Sequence, residues 1–219
     1  MISFENVSKY YPSRNGKRVI LNKINHTFDF GEDIGILGKN GAGKSTLFRL
    51  ISGSESPDQG KITRSSSVSW PLGFSGGFHG SLTGRENTRF VSRIYGKNLK
   101  QVFDFVADFA ELGNYIDMPI KSYSSGMKAR LAFGLSMAID FDFYLIDEVI
   151  AVGDSSFKNK CKKILTEKRK TSTVILVSHS NNLLKQFCKK GAVLNNGYLK
   201  VFQTIDDAIN EHEKNQLIL

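Results

Sequence analysis

The chain switches between two hydrophobic periods, and the places where each holds predict an α/β unit with lobes. Ile2 to Val7 alternates apolar with polar positions, as a strand with one buried face does. Pro12 to Lys17 carries Pro, Ser, Asn and Gly and turns the chain before extension resumes at Val19 to Leu21. Ile34 to Leu37, Phe143 to Ile146 and Val174 to Val177 are short apolar runs, the pattern of strands buried on both faces. Ser52 to Gly60 reads as a surface turn, followed by strands at Lys61 to Thr63 and near Ser67 to Trp70. The helical period appears from Thr46 to Ile51 and again after Thr83-Gly84-Arg85-Glu86, a capping box that opens a helix toward Tyr95. Val102, Phe105, Val106 and Phe109 form one face of a second helix ending near Gly113, and a third runs from about Lys128 to Ala138. These helices predict a lobe at about 83–138 inserted in the α/β core, with its aromatics read as core. A hairpin turning at Asn195-Asn196-Gly197 and a short helix from Ile205 to Glu213 come last.

Between the strand at Ile34 and the helix at Thr46 lies Gly38-Lys39-Asn40-Gly41-Ala42-Gly43-Lys44-Ser45, which fits the G-x-x-x-x-G-K-[ST] phosphate loop. Gly41 and Gly43 let the backbone fold around a polyphosphate with no side chain in the way. The unpaired N–H groups of the helix start point at the anion, Lys44 reaches the β and γ oxygens, and Ser45 supplies a hydroxyl for Mg²⁺. Thr46 supports the α-phosphate end, and Gly38 and Asn40 complete the nucleotide-binding loop. A glycine turn that merely caps a helix is the plain alternative, but it gives no reason for strand, spacing and helix to coincide.

Two further strand ends carry chemistry. The Phe143 run closes on Asp147 and Glu148, placing Asp147 to hold the Mg²⁺ shell and Glu148 to polarise a water. The Val174 run is followed by Ser178 and His179, so His179 emerges beside the phosphate loop as a γ-phosphate sensor. Tyr123-Ser124-Ser125-Gly126-Met127 puts small residues at a helix N-terminus, which reads as a second anion site. Tyr11, on the loop leaving the first strand, either stacks on a nucleotide base or packs at a hairpin end. Trp70 to Gly80 is glycine-rich with aromatics and reads as a partner-docking loop or as a buried aromatic turn.

Composition narrows the classes. The 219 residues are 40% apolar, enough for a packed core. No run approaches the roughly 20 apolar residues that cross a bilayer, and Met1-Ile2-Ser3-Phe4-Glu5 lacks the pattern of a leader. Cys161 and Cys188 have no metal-site spacing and read as buried hydrophobes. The net charge of +9 suits nucleic acid, an anionic membrane surface or an acidic partner equally. The cations from Lys158 to Lys170 read as a solvated helix face first and as a lipid or partner surface second.

The order phosphate loop, Tyr123-Ser124-Ser125-Gly126-Met127, Leu145-Ile146-Asp147-Glu148 and His179 resembles the nucleotide-binding subunit of ABC transporters over essentially the whole chain. The resemblance implies a P-loop NTPase ABC cassette with a RecA-like core, an antiparallel β-lobe and a helical lobe in one domain, 1–219. It implies ATP and Mg²⁺, with a homodimer that sandwiches two nucleotides. Ser124 and Gly126 would then meet the γ-phosphate in trans, Ser125 between them belonging to the same nucleotide-binding turn, with Glu148 as general base, His179 as switch histidine and Tyr11 as base-stacking aromatic.

Departures narrow the subfamily. Ser125 stands for a glycine and Met127 for a glutamine of the usual signature, and Val149-Ile150-Ala151-Val152-Gly153-Asp154 replaces the usual Pro-Thr-Ser-Ala-Leu-Asp. That string, with Phe157 to Cys161, Leu82 to Asn87 and Val177 to Ser180, looks like the ATPases of polysaccharide exporters. The place of the Mg²⁺- and water-contacting glutamine falls at or near Phe74, a side chain that cannot ligate a metal. The chain stops soon after its last expected helix, which looks like the capsule-export type. The resemblance implies an integral membrane permease partner, capsular polysaccharide as cargo, and a peripheral place on the cytoplasmic side of the inner membrane, with no nucleic acid. The alternatives are an O-antigen or teichoic-acid exporter ATPase, a soluble ABC ATPase acting on nucleic acid, and a nucleotide-sensing regulator without turnover.

Overall fold

A computed structural model describes residues 1–13, 16–71, 78–147 and 155–217. The chain divides into two compact units, one of residues 1–71, 141–148 and 171–219, the other of residues 72–140 and 149–170.

The first unit holds two sheets. β1 (Ile2–Ser13) lies between β2 (Gly16–Phe28) and β4 (Gln59–Arg64), antiparallel to both. The strands run well past the sequence prediction, and Tyr11 sits inside β1, paired with Arg18, rather than on a loop. The five-stranded sheet has the order β5 (Phe143–Asp147), β6 (Thr173–Val177), β3 (Ile34–Leu37), β7 (Lys190–Asn195), β8 (Tyr198–Phe202). β5, β6, β3 and β7 are parallel, and β8 returns as a hairpin through Asn196 and Gly197, both at positive φ. That is the type I′ geometry asparagine and glycine tolerate best. The strand expected near Ser67 to Trp70 reduces to one parallel bridge, Val68 to Phe143.

α1 (Lys44–Ser52) buries Leu47, Phe48, Leu50 and Ile51 against a core shared by both sheets, with Ile2, Phe4, Ile36, Phe143, Ile175 and Leu194 at its centre. α6 (Asn181–Phe187) and α7 (Ile205–Leu217) complete this unit, α7 running four residues past its expected end at Glu213.

The second unit is helical. α2 (Gly84–Ile94) opens on the capping box, with the Thr83 hydroxyl accepting from the Glu86 N–H and the Glu86 carboxylate accepting from the Thr83 N–H. α2 buries small and polar residues, Gly84, Asn87, Thr88 and Ser92, and leaves Phe90 exposed. The reading of the lobe's aromatics as core therefore fails at Phe90. It holds at Phe109 of α3 (Leu99–Ala110), whose ring stacks 5.6 Å from Phe133 of α4 (Ser125–Ala138) and meets Phe157 of α5 (Ser155–Lys168) edge-on. α4 begins three residues before the predicted Lys128, because the Ser124 hydroxyl accepts from the Met127 N–H and caps it. On α5, Phe157, Cys161 and Leu165 form the buried stripe. Lys160 pairs with Glu111 and Lys168 with Asp140, which supports the solvated-face reading. No helix among the described residues is long and apolar enough to cross a membrane.

Candidate functional site

The site begins with β3, whose four residues are all buried between β6 and β7. The chain leaving it must turn sharply, and the glycines are where it does. A Cβ at Gly38 would come within 2.6 Å of the Leu194 carbonyl oxygen. Gly43 has φ +107°, a conformation L side chains rarely adopt, and a Cβ there would meet Ile20 Cγ2 at 2.7 Å. Gly43 is the N-cap of α1 and contributes no side-chain cap, so the first turn presents backbone N–H donors to the loop. Lys44 Nζ donates to the carbonyl oxygens of Gly38 at 2.6 Å and Lys39 at 3.2 Å, which places the ammonium inside the curve of the loop.

Parallel pairing then gathers the chemistry. Ile175 of β6 faces Ile34 of β3 on one side and Leu145 of β5 on the other, so the three strands end at one edge. At that edge a cleft of about 540 Å³ is lined by Asn40, Gly41, Gly43, Lys44, Ser45 and Thr46 of the loop and α1, by Asp147 at the end of β5, and by His179 after β6. The structure thus brings together Lys44, Ser45, Asp147 and His179, as the sequence reading expects. Glu148 lies outside the described residues, as do Phe74 and the Val149 to Asp154 string.

Arg18 and Ile20 of β2 also line the cleft. Neither belongs to a motif, and only the long β1–β2 pairing brings them there. Tyr11 is not among the lining residues. Its hydroxyl donates to Glu55 at 2.8 Å and accepts from Arg49 Nη2 at 2.8 Å, so on this side of the molecule it serves a polar cluster. Ser124, Ser125 and Gly126 start α4 in the helical unit, with Ser124 and Ser125 exposed.

A smaller cavity of about 140 Å³ shares Lys44 and His179 with the cleft, and α7 closes it with His212, Glu213 and Gln216. Burial, then the nearby Lys44 ammonium and the His179 ring, hold the His212 imidazole below the ordinary histidine pKa. Sequence reasoning missed these three residues, because only the packing of α7 brings them to the loop.

The cleft suits a polyphosphate. Ammonium, guanidinium and helix N–H donors meet an anion from several directions. The Ser45 hydroxyl and the Asp147 carboxylate are hard oxygen donors of the kind Mg²⁺ takes. Among the described residues no group of three or more His, Cys, Asp or Glu is placed to hold a metal ion.

Comparison with known proteins fits this geometry. Residues 21–151 match the ABC transporter family. The capsule polysaccharide export ATP-binding protein CtrD of Neisseria meningitidis is 57% identical over 208 residues, spanning 95% of this chain and 96% of that one. The polysialic acid transport ATP-binding protein KpsT of Escherichia coli is 48% identical, spanning 99% of this chain and 98% of its own. The teichoic acids export ATP-binding protein TagH of Staphylococcus saprophyticus is 40% identical over 89% of this chain and 75% of its own length. Among solved structures, the ATP-binding cassette MJ0796, in a dimeric post-hydrolysis state bound to ADP and Pi, has a TM-score of 0.80 at 20% identity, over 93% of this chain and 98% of that one. That likeness extends to the fold, an ABC cassette, and the match over more than half of the sequence carries the rest: the chain belongs to the ABC transporter family.

Proposed function

We infer that this chain is the ATP-binding and ATP-hydrolysing subunit that powers export of capsular polysaccharide across a bacterial inner membrane. One observation carries the ATPase reading: three parallel strand ends deliver Lys44 with Ser45, Asp147, and His179 to a single cleft. The cargo reading leans on relatives alike from end to end, CtrD at 57% identity against TagH at 40%.

In the mechanism we propose, Gly38, Asn40, Gly41 and Gly43 wrap the phosphates with backbone donors, Thr46 supports the α-phosphate, and Lys44 offsets charge on the β and γ oxygens. Ser45 and Asp147 would hold Mg²⁺, which when bound neutralises charge building on the phosphate oxygens. Glu148 takes a proton from the attacking water, and His179 holds the γ-phosphate in line. Ser124, Ser125 and Gly126 of a second copy close over the nucleotide, and Tyr11 offers its ring to the base. The whole chain works as one ATPase domain. It sits peripherally on the cytoplasmic face of the membrane, bound to an integral permease subunit.

Glu148→Gln should lower turnover at least about 100-fold, the scale of a lost general base, while ATP still binds. Lys44→Ala should lose nucleotide affinity instead. The decisive measurement is ATPase activity of the chain co-purified with a capsule-export permease in lipid, beside the chain alone. Stimulation by the permease, lost in Glu148→Gln, is the expected result. Turnover indifferent to the permease but raised by RNA or DNA would overturn it in favour of a soluble nucleic-acid ATPase.

A further inference from the structure

We propose that α7 is a positioning element for the His179 segment, acting through a hydrogen bond between Glu213 and Asn181, and that it thereby sets the rate of ATP hydrolysis. The proposal rests on His179 acting at the γ-phosphate, as inferred above.

The placement of α7 starts from its first turns. Ile205, Ala208 and Ile209 are buried, and the strands beneath them leave room only by lacking side chains. A Cβ on Gly35 of β3 would come within 2.8 Å of Ile205 Cδ1, and one on Gly191 of β7 would collide with the Ala208 methyl. The Ile205 N–H donates to the Lys189 carbonyl at 2.8 Å, fixing where the helix begins. An α-helix so anchored has little freedom in where its later turns go. Its later turns bring His212, Glu213 and Gln216 to the small cavity shared with Lys44 and His179.

There the helix grips the segment directly. Asn181 Nδ2 donates to Glu213 Oε1 at 3.1 Å. Asn181 is the first residue of α6, two positions after His179. Upstream, Val177 ends β6 and is 2% exposed. His179 is therefore carried on a span of three residues, Ser178 to Ser180, pinned by the sheet at one end and at the other by α6, which α7 holds through Asn181. Within the span the Ser180 N–H donates to Ser178 Oγ at 3.0 Å. His212, with its Nε2 3.1 Å from Gln216 Nε2, completes the α7 wall of the cavity. The Ser180 cap of α6 also holds that end, its Oγ accepting from the Leu183 N–H at 3.4 Å and its carbonyl from the Leu184 N–H at 3.1 Å, so removing the α7 pin loosens the span without freeing it. Small displacements of a positioned group cost rate more than binding when the group acts mainly in the transition state.

The test is single-turnover hydrolysis by the full chain at saturating ATP, with nucleotide affinity read separately from a fluorescent ATP analogue. Glu213→Ala and Asn181→Ala should each hydrolyse about 3- to 10-fold more slowly, the scale of one lost hydrogen bond, with affinity held within about twofold. Their melting temperatures should be little changed, since both side chains are exposed. Glu213→Gln keeps the Oε1 acceptor and should restore the rate, and the Asn181→Ala/Glu213→Ala double variant should fall no further than either single. A wild-type rate in Glu213→Ala, a slow Glu213→Gln, or a loss confined to affinity would overturn the proposal. His179→Ala separates the two inferences. If it is slow while Glu213→Ala is not, only the positioning role of α7 fails, whereas a wild-type rate in His179→Ala removes the histidine's role and the α7 proposal with it.

Discussion

Glu55 shows how much one carboxylate organises at the residue scale. It accepts from Arg49 Nε at 2.9 Å and from the Tyr11 hydroxyl at 2.8 Å, and Lys9 Nζ lies 3.1 Å away. Partial burial pushes the carboxyl pKa up, but the hydrogen bonds from Arg49, Tyr11 and Lys9 together outweigh it and leave the group below its ordinary value of 4.5. A depressed folded-state pKa means stability present above the ordinary value and lost as pH falls through the folded one. Glu55→Gln should therefore cost about 1–2 kcal/mol near neutral pH, and its deficit against the wild type should close below about pH 4.5 in paired thermal melts. A deficit unchanged at low pH would remove the charge from the explanation. Burial likewise raises the Cys161 thiol to about 12, so it should resist alkylation in the native protein and react only on unfolding. The same scale shows what a sequence can reveal. Lys44, Asp147 and His179 were legible because each adjoins an apolar strand run that announces its own end. Arg18, Ile20 and His212 were not, because strand pairing and helix packing bring them to the loop and no local pattern records either.

Elements are legible when their local signals agree. The Thr83 to Glu86 capping box was readable from four residues, and both of its hydrogen bonds are made. Thr83→Ala should cost about 1 kcal/mol, and Thr83→Ser should restore most of it, measured by denaturant midpoints at constant slope. β1 and β2 were underestimated for a physical reason. Register shifts fall between Phe4 and Val7, Val7 and Lys9, and Lys9 and Tyr10, and Asn6 and Lys23 take positive φ. Each bulge moves the alternation onto the other face, so the period of two that marks a strand is erased while the strand continues. α6 spans seven residues, too short for a helical period to stand out, and its Ser180 cap is its one local mark. α4 is nearly apolar from Leu131 to Met137, so it has a length but no face to read.

At the scale of the whole molecule, a net charge of +9 sets a condition on the proposed dimer. Two such protomers repel at long range, and the repulsion weakens as salt screens it. Nucleotide changes the balance locally, because a magnesium-bound ATP keeps negative charge and lies between the cationic Lys44 and Arg18 cleft of one copy and, in the proposed arrangement, the neutral donors and positive dipole end of α4 of the other. Closure should then require nucleotide and persist only while hydrolysis is blocked. Glu148→Gln with ATP and Mg²⁺ should run as a dimer in light scattering at protein concentrations where the same variant without nucleotide is a monomer. Added salt should weaken the ATP-bound form, since attraction through the bound anions then decides the equilibrium. Ser124→Arg, placing bulk and charge at the exposed cap, should abolish the dimer and leave ATP binding by the single chain intact. A dimer that forms without nucleotide, or one indifferent to Ser124→Arg, would place the contact elsewhere and separate the phosphate loop from the serine-glycine turn in function.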